Sequence, residues 1–271
     1  MNRTDAIRRR RSVRTFDKTP LRSEDAQRIM DFARLVENPY DIPIAWKLLD
    51  AEKDALRSPV ISGANAYIAG KMRRVDHAEE AFGYTFEKIV LLAETLGVGT
   101  TWIAGTMDRT AFEKAMRLEE GEVMPCVSPL GYPAQKMSLR ETVMRRGVKA
   151  DRREDFETLF FENSFDTPLS PEKAGTLQLP LEMVRLAPSA VNRQPWRVVL
   201  SGGKAHFYEK KSKGYIGSDG WDIQKIDIGI ALCHFEIGAE EAGFRVSFTF
   251  EDPGISTEDG LLYVMSAVPG F

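Results

Sequence analysis

Apolar positions recur along the chain at two periods, and the two alternate. Ile29, Phe32, Ala33 and Val36 follow helical spacing behind Ser23, which reads as the N-cap. Phe86, Ile89, Val90, Ala93 and Leu96 form a stronger stripe, predicting a helix that stops at Gly97. Ala45 to Asp50, Ala66 to Gly70 and Val123 to Leu130 read as strands. Farther on, Arg197 to Leu200 and Ala205 to Tyr208 flank Gly202-Gly203, a hairpin signal. Ile226 to Ala242 predicts a long apolar helix, and Val246 to Phe250 and Leu261 to Ala267 predict strands. Leu139 to Phe161 is dense in charge, with Arg145-Arg146 and Arg152-Arg153-Glu154-Asp155, and reads as a solvated arm joining two halves. Helices and strands are mixed, hairpins are present, and strands do not alternate regularly with crossover helices. The pattern predicts an α+β sandwich of two similar lobes.

An internal repeat supports the two lobes. Phe16-Asp17-Lys18-Thr19-Pro20-Leu21 recurs in shortened form as Phe165-Asp166-Thr167-Pro168-Leu169. Each copy is followed by a helix-like stretch, then Arg-Leu, then a loop closing on tryptophan: Arg34-Leu35 to Trp46, and Arg185-Leu186 to Trp196. Leu92 to Gly97 lines up with Gly238 to Gly243 in the same order, so the offset stays at about 150 residues. Residues 1–150, carrying the arm, and 151–271 are therefore the expected halves.

Composition narrows the function classes. The 271 residues are 43% hydrophobic, enough for a sizeable core. Lys plus Arg number 37 against 40 Asp plus Glu, a formal charge of −3 that argues against a nucleic-acid binder. No apolar run is long enough for a membrane span, and none near the N-terminus suits a signal peptide, so a cytoplasmic protein is expected. Cys126 and Cys233 sit among apolar neighbours and are expected to be buried free thiols. His77, His206 and His234 have no metal-ligand spacing, and no serine sits in a nucleophile elbow.

Four stretches carry candidate chemistry. In Arg10-Arg11-Ser12-Val13-Arg14, an extended backbone puts Arg10, Ser12 and Arg14 on one side and Arg11 and Val13 on the other. Two guanidiniums flanking a hydroxyl suit a phosphate ester; a solvated basic helix end is the plainer reading. Ala187-Pro188-Ser189-Ala190-Val191-Asn192-Arg193-Gln194-Pro195-Trp196 is a rigid turn whose Ser189, Asn192 and Gln194 suit a heteroaromatic edge. The lesser alternative is a capped turn over a buried Trp196. Gly97 to Gly105 lacks the dinucleotide-binding glycine spacing but could bring backbone N–H groups to a ring nitrogen. Gly131 to Lys136 follows a strand, with Lys136, Ser138 and Arg140 at alternating positions. Taken singly, the last two are also readable as ordinary turns.

Together and in this order, these stretches resemble the FMN-dependent nitroreductases, in particular a branch with two subunits fused in one chain. The resemblance spans nearly the whole sequence. It implies a nitroreductase-like α-β sandwich whose two lobes form a pseudo-dimer, so a monomer is expected. The family's arginine–serine–arginine stretch is matched by Arg10, Arg11, Ser12 and Arg14, its G-T-x-W-I-x-G stretch by Trp102, Ile103, Ala104 and Gly105, and its late cation by Lys136. The family's loop, which comes from the other subunit, is matched by Pro188, Ser189, Ala190, Asn192 and Gln194, leading to Pro195-Trp196. The resemblance implies that these residues bind one FMN per chain and that NAD(P)H delivers hydride to the flavin N5. A small-molecule acceptor follows, a nitroaromatic, quinone or similar compound, with no nucleic-acid or membrane partner. It requires no side-chain general acid or base, so no catalytic residue is assigned. Backbone N–H groups of Ala104 and Gly105 would meet N5, Arg14 would favour the anionic reduced ring, and Tyr40, Tyr215 and Trp221 are possible walls of an acceptor site.

Two departures are informative. The first half has Glu37-Asn38-Pro39-Tyr40-Asp41 where the loop should be, and the second has Ala150-Asp151-Arg152-Arg153-Glu154-Asp155 in place of the arginine–serine–arginine stretch. One site is expected to be kept and its twin lost. The alternative reading is a non-catalytic or degenerate flavin-binding protein acting in storage or sensing.

Overall fold

The computed structural model describes residues 2–215, 221–257 and 260–270. It divides into two units, Met1–Ala150 and Asp151–Phe271. In the first unit, helices α1 (Arg3–Arg9) and α2 (Ser23–Leu35) precede strands β1 (Ala45–Asp50) and β2 (Ala66–Arg73). Helices α3 (Ala78–Thr95) and α4 (Arg109–Met116), strands β3 (Glu122–Val123) and β4 (Val127–Leu130), and helix α5 (Leu139–Gly147) follow. Strand β2 is the hub, pairing antiparallel with β1, β3 and β4.

Helix α3 is buried on nearly every side: its aromatic and aliphatic positions supply most of the buried residues, and Glu80 and Glu87 are buried with them. Phe82 and Phe86 lie 5.3 and 5.0 Å from the Trp46 ring on β1, and Phe86 lies 4.6 Å from Trp102. Gly70 admits the Trp46 ring, since a Cβ there would come within 2.5 Å of it. Gly97, at φ 73°, ends α3 in the left-handed conformation that lets Val98 N–H reach back to Ala93 O at 2.9 Å.

The second unit holds α6 (Phe156–Leu159), β5 (Phe160–Glu162), α7 (Gln178–Leu186), β6 (Trp196–Ser201) and β7 (Lys204–Lys210). Helix α8 (Ile223–Glu241) and strands β8 (Arg245–Thr249) and β9 (Leu261–Gly270) complete it. Its sheet runs β5-β6-β7-β9-β8, parallel between β5 and β6 and antiparallel elsewhere. Gly202 and Gly203, both at positive φ, make the β6–β7 hairpin turn. Helix α8 packs on α7 so closely that a Cβ on Gly238 would lie 2.6 Å from Pro180 Cα. It stops as α3 does, with Gly243 at φ 90° and Phe244 N–H bonded to Ala239 O. Apart from the inserted α4, both units run helix, strand, strand, long buried helix, strand, strand: α2-β1-β2-α3-β3-β4 in one and α7-β6-β7-α8-β8-β9 in the other.

Three expectations from the sequence need correcting. Ser23 is the first helical residue and not the cap; Arg22 occupies the cap position and pairs with Asp25 at 2.8 Å. The stretch from Val123 to Leu130 is two strands, because Pro125 has no N–H to continue a ladder. Leu139 to Phe161 is not a solvated arm throughout. It starts as α5 and ends in the core of the second unit, where Leu159 and Phe160 are fully buried and β5 pairs with β6. Its charge density masked the apolar Phe156, Leu159 and Phe160. Cys126 and Cys233 are buried free thiols.

Candidate functional site

Three of the four candidate stretches meet within the first unit. The segment after α1 runs extended: Ser12 forms a parallel bridge to Thr100, Thr15 to Ser62, and Phe16 an antiparallel bridge to Pro133. Val13 N–H donates to Thr100 O at 2.8 Å, and Ala134 N–H to Thr15 O at 3.0 Å. Gly99 bridges to Gly131, so the arginine segment, the 97–105 stretch and the 131–136 turn lie side by side. Gly99 is required there, because a Cβ would sit 2.9 Å from Val13 Cγ2.

The extended backbone sorts its side chains by alternation. Val13 is buried. Arg11 Nη1 donates to Glu141 Oε1 at 3.2 Å, and Thr15 Oγ1 donates to Glu141 Oε2 at 2.8 Å. No side-chain hydrogen bond or ion pair holds Arg10, Ser12 or Arg14 among the described residues; the buried Arg10 Nε is an unsatisfied donor. Burial holds the Arg14 guanidinium below its ordinary range, with Glu141 opposing the shift and Arg145 adding to it. The group remains a cation at neutral pH. Burial likewise raises the Glu94 carboxyl above its usual range, against the pull of Arg9, Arg10 and Arg11.

The stretch from Trp102 to Gly105 divides by role. The side chain of Trp102 serves the core, with Nε1 donating to the fully buried Glu87 at 3.1 Å. Ile103 exchanges backbone hydrogen bonds with Val127 at 2.9 Å, and its side chain is buried among Leu49, Phe112 and Met116. Ala104 and Gly105 keep uncommitted N–H groups among the described residues, and a Cβ on Gly105 would meet nothing within 4 Å. Arg109 braces this turn, donating to Ala104 O at 2.9 Å. Lys136 is exposed. Ser138 does not extend an alternating row beside it; it caps α5 by accepting from Glu141 N–H at 3.1 Å, which ends the extended run.

In the second unit the loop from Pro188 to Pro195 turns its polar side chains on itself. Ser189 Oγ accepts from Gln194 N–H at 2.8 Å, and Gln194 Oε1 accepts from Glu154 N–H at 3.0 Å with Gln194 almost fully buried. Asn192 Nδ2 donates to Arg152 O at 2.9 Å, and Arg153 Nη1 donates to Asn192 Oδ1 at 3.4 Å. The side chains read from sequence as ligand contacts thus shape the loop. The loop is strained, with Val191, Asn192 and Gln194 at φ 43°, 60° and 51°. Ala190 N–H donates to both oxygens of Asp227 on α8, at 3.0 and 3.1 Å. Burial pushes the Asp227 carboxyl well above its ordinary range; the Ala190 N–H opposes this, and Asp222 and Glu209 add to it.

Glu141 and Asp227 are the residues that sequence reasoning missed. Glu141 carried one signal, its place three residues after Ser138 in a capping box; Asp227 carried none, being one acid in an apolar helix. Of the possible acceptor walls, Tyr40 stacks on His77 at 5.3 Å and Tyr215 accepts from Arg193 Nε at 2.7 Å. Among the described residues no cluster of metal-ligating side chains is found, and no helix is long and apolar enough to cross a membrane.

A family model described as "Putative TM nitroreductase" matches residues 2–239. No curated protein matches the chain. Among solved structures, the chain is similar to a putative nitroreductase from Thermotoga maritima, with 20% identity and a TM-score of 0.65 over 99% of this chain and 94% of that one. That likeness shows the nitroreductase fold. An FMN-dependent nitroreductase from Clostridium difficile matches 49% of this chain and 88% of its own, with 17% identity and a TM-score of 0.43. A putative NADH dehydrogenase/NAD(P)H nitroreductase from Bacteroides thetaiotaomicron matches 50% and 89%, with 23% identity and a TM-score of 0.43.

Proposed function

The chain belongs to the putative TM nitroreductase family, matched over residues 2–239, and from that premise we propose that it is an FMN-dependent oxidoreductase using NAD(P)H. The observation that carries this is the set formed by Arg10, Ser12 and Arg14, three donors at alternating positions of an extended segment with no side-chain hydrogen-bond partner among the described residues. Two guanidiniums and a hydroxyl fit a phosphate monoester, and a partly buried cation such as Arg14 meets it in a medium that weakens attraction less than water does. The uncommitted N–H groups of Ala104 and Gly105 lie in the neighbouring stretch and fit an acceptor atom on a flat ring. The donor set therefore suits FMN.

Within this proposal Arg10, Ser12 and Arg14 hold the phosphate, and Lys136 adds positive charge nearby. Ala104 and Gly105 orient the ring through backbone N–H groups, while Trp102 and Ile103 secure that turn to the core. Pro188, Ser189, Ala190, Asn192 and Gln194 form a rigid loop in the second unit and are retained as proposed flavin contacts on the strength of the family match. When bound, FMN supplies the chemistry, accepting hydride from NAD(P)H and passing reducing equivalents to a nitroaromatic, quinone or similar small acceptor. The protein supplies position and electrostatics, and no side-chain acid or base is assigned. We further propose that the two halves descend from one duplicated unit, with the repeated sequence landmarks and shared element order in support.

The test is the absorbance spectrum of freshly purified protein, with the released chromophore quantified per chain. A flavin spectrum with about one FMN per chain is expected for a single site. Two per chain would show that the first-half loop also works. Protein that is colourless and takes up no added FMN would refute the proposal. Bound FMN without NAD(P)H oxidation in the presence of a quinone would leave a binding protein in place of an enzyme.

A further inference from the structure

We propose that Glu141 is the positioning residue of the phosphate-binding row, holding Arg11 and Thr15 so that the extended arginine segment keeps Arg10, Ser12 and Arg14 available to the ligand. The inference rests on the flavin reading above and adds to it a residue outside the matched motifs. It starts from a modified helix cap. Ser138 and Glu141 stand at the N-cap and third helical positions of α5, where a glutamate ordinarily reaches back to the cap N–H. Here Thr15 is inserted between them. Ser138 N–H donates to Thr15 Oγ1 at 3.2 Å, and that hydroxyl donates to Glu141 Oε2 at 2.8 Å. The other carboxylate oxygen takes Arg11 Nη1 at 3.2 Å.

The consequence follows from alternation. Arg11, Val13 and Thr15 share one side of the extended segment, and all three are anchored: Arg11 and Thr15 by Glu141, Val13 by packing against Gly99. With these three held, the path of the extended segment is fixed, and Arg10, Ser12 and Arg14 are left without a side-chain hydrogen bond among the described residues, Glu141 acting on the Arg14 guanidinium through its charge alone. Glu141 is 1% exposed, so its two contacts are held in a site where water does not compete. It also opposes the mutual repulsion of Arg11, Arg14 and Arg145, the last two of which are coupled electrostatically. Losing it would free the segment to rotate and the guanidiniums to spread.

Electrostatics alone predicts the reverse outcome, and that makes the idea testable. Replacing Glu141 by glutamine removes a negative charge beside three arginines, so a simple field effect would tighten the binding of any anion. Positioning predicts weaker binding, confined to the phosphate end. The experiment compares dissociation constants for FMN and for riboflavin, which lacks the phosphate, in the full-length chain and in E141Q and T15V. FMN affinity is expected to fall about tenfold or more in both variants, with riboflavin affinity changing less than about twofold. Equal losses for both ligands would assign Glu141 a purely structural role and overturn the proposal. Tighter FMN binding in E141Q would make Glu141 a simple counter-charge and also overturn it. T15V breaks the same link from the other side without changing any charge, so an effect in E141Q alone would count against positioning as well. If the unmodified chain binds neither flavin, the flavin reading itself fails, a result distinct from all of these.

Discussion

Replacing Asp227 by asparagine is expected to make the protein more stable at alkaline pH and to flatten its dependence on pH. Asp227 is 3% exposed on α8 and accepts the Ala190 N–H on both oxygens. Its charged form is disfavoured first by burial and then by the acidic Asp222 and Glu209. The folded carboxyl therefore holds its proton at pH values where the unfolded one has lost it. In that window the folded state binds more protons, so stability falls as pH rises. The fall begins near the unfolded value of about 4 and ends at the raised folded value. Each unit of upward displacement costs about 1.4 kcal/mol once the pH exceeds the folded value. Asparagine keeps an oxygen for the Ala190 N–H and has no proton to lose. Urea midpoints measured from pH 4 to 9 should then show a shallower slope for D227N and a gain over wild type of at least about 1 kcal/mol near pH 8. D227A supplies the control: the Ala190 N–H loses its acceptor, so D227A should lie below D227N by about 1–3 kcal/mol across the whole range. Parallel slopes for wild type and D227N, or a less stable D227N at pH 8, would refute the assignment of a protonated buried carboxyl.

Arg14→Glu and Asn192→Asp should each abolish FMN retention, the first by reversing a cation of the phosphate row and the second by removing the Nδ2 donor to Arg152 O. Asn38→Asp, in a turn where Nδ2 donates to Ile42 O, should leave the FMN content of purified protein unchanged; equal loss from all three would count against a single site. Trp102→Phe removes the hydrogen bond to buried Glu87 and should lower the urea midpoint by the equivalent of about 1–3 kcal/mol, with FMN stoichiometry preserved. Val191→Gly relieves a β-branched residue at φ 43° that is 56% exposed. The relief, about 1–2 kcal/mol, exceeds the added entropy of the unfolded chain, so the melting temperature should rise.

The sequence by itself determined the elements and their class. Helical periodicity located α3 and α8, the paired glycines located the β6–β7 hairpin, and Gly97 marked a real helix end, because these signals lie within a few residues of one another. Boundaries were less legible. Ser23 was mistaken for a cap because Arg22 meets Asp25 instead, and Phe160 was lost in a charged stretch because its burial depends on β6. Only the tertiary structure decided which polar residues hold the fold. Gln194 and Trp102 have the chemistry of ligand contacts, yet Glu154 and Glu87 engage them. Glu141 has the chemistry of a helix cap, yet it serves Arg11 and Thr15 from more than a hundred residues away. A polar side chain can meet its hydrogen-bonding need with any partner that folding brings near, and the sequence pattern records the need but not the partner.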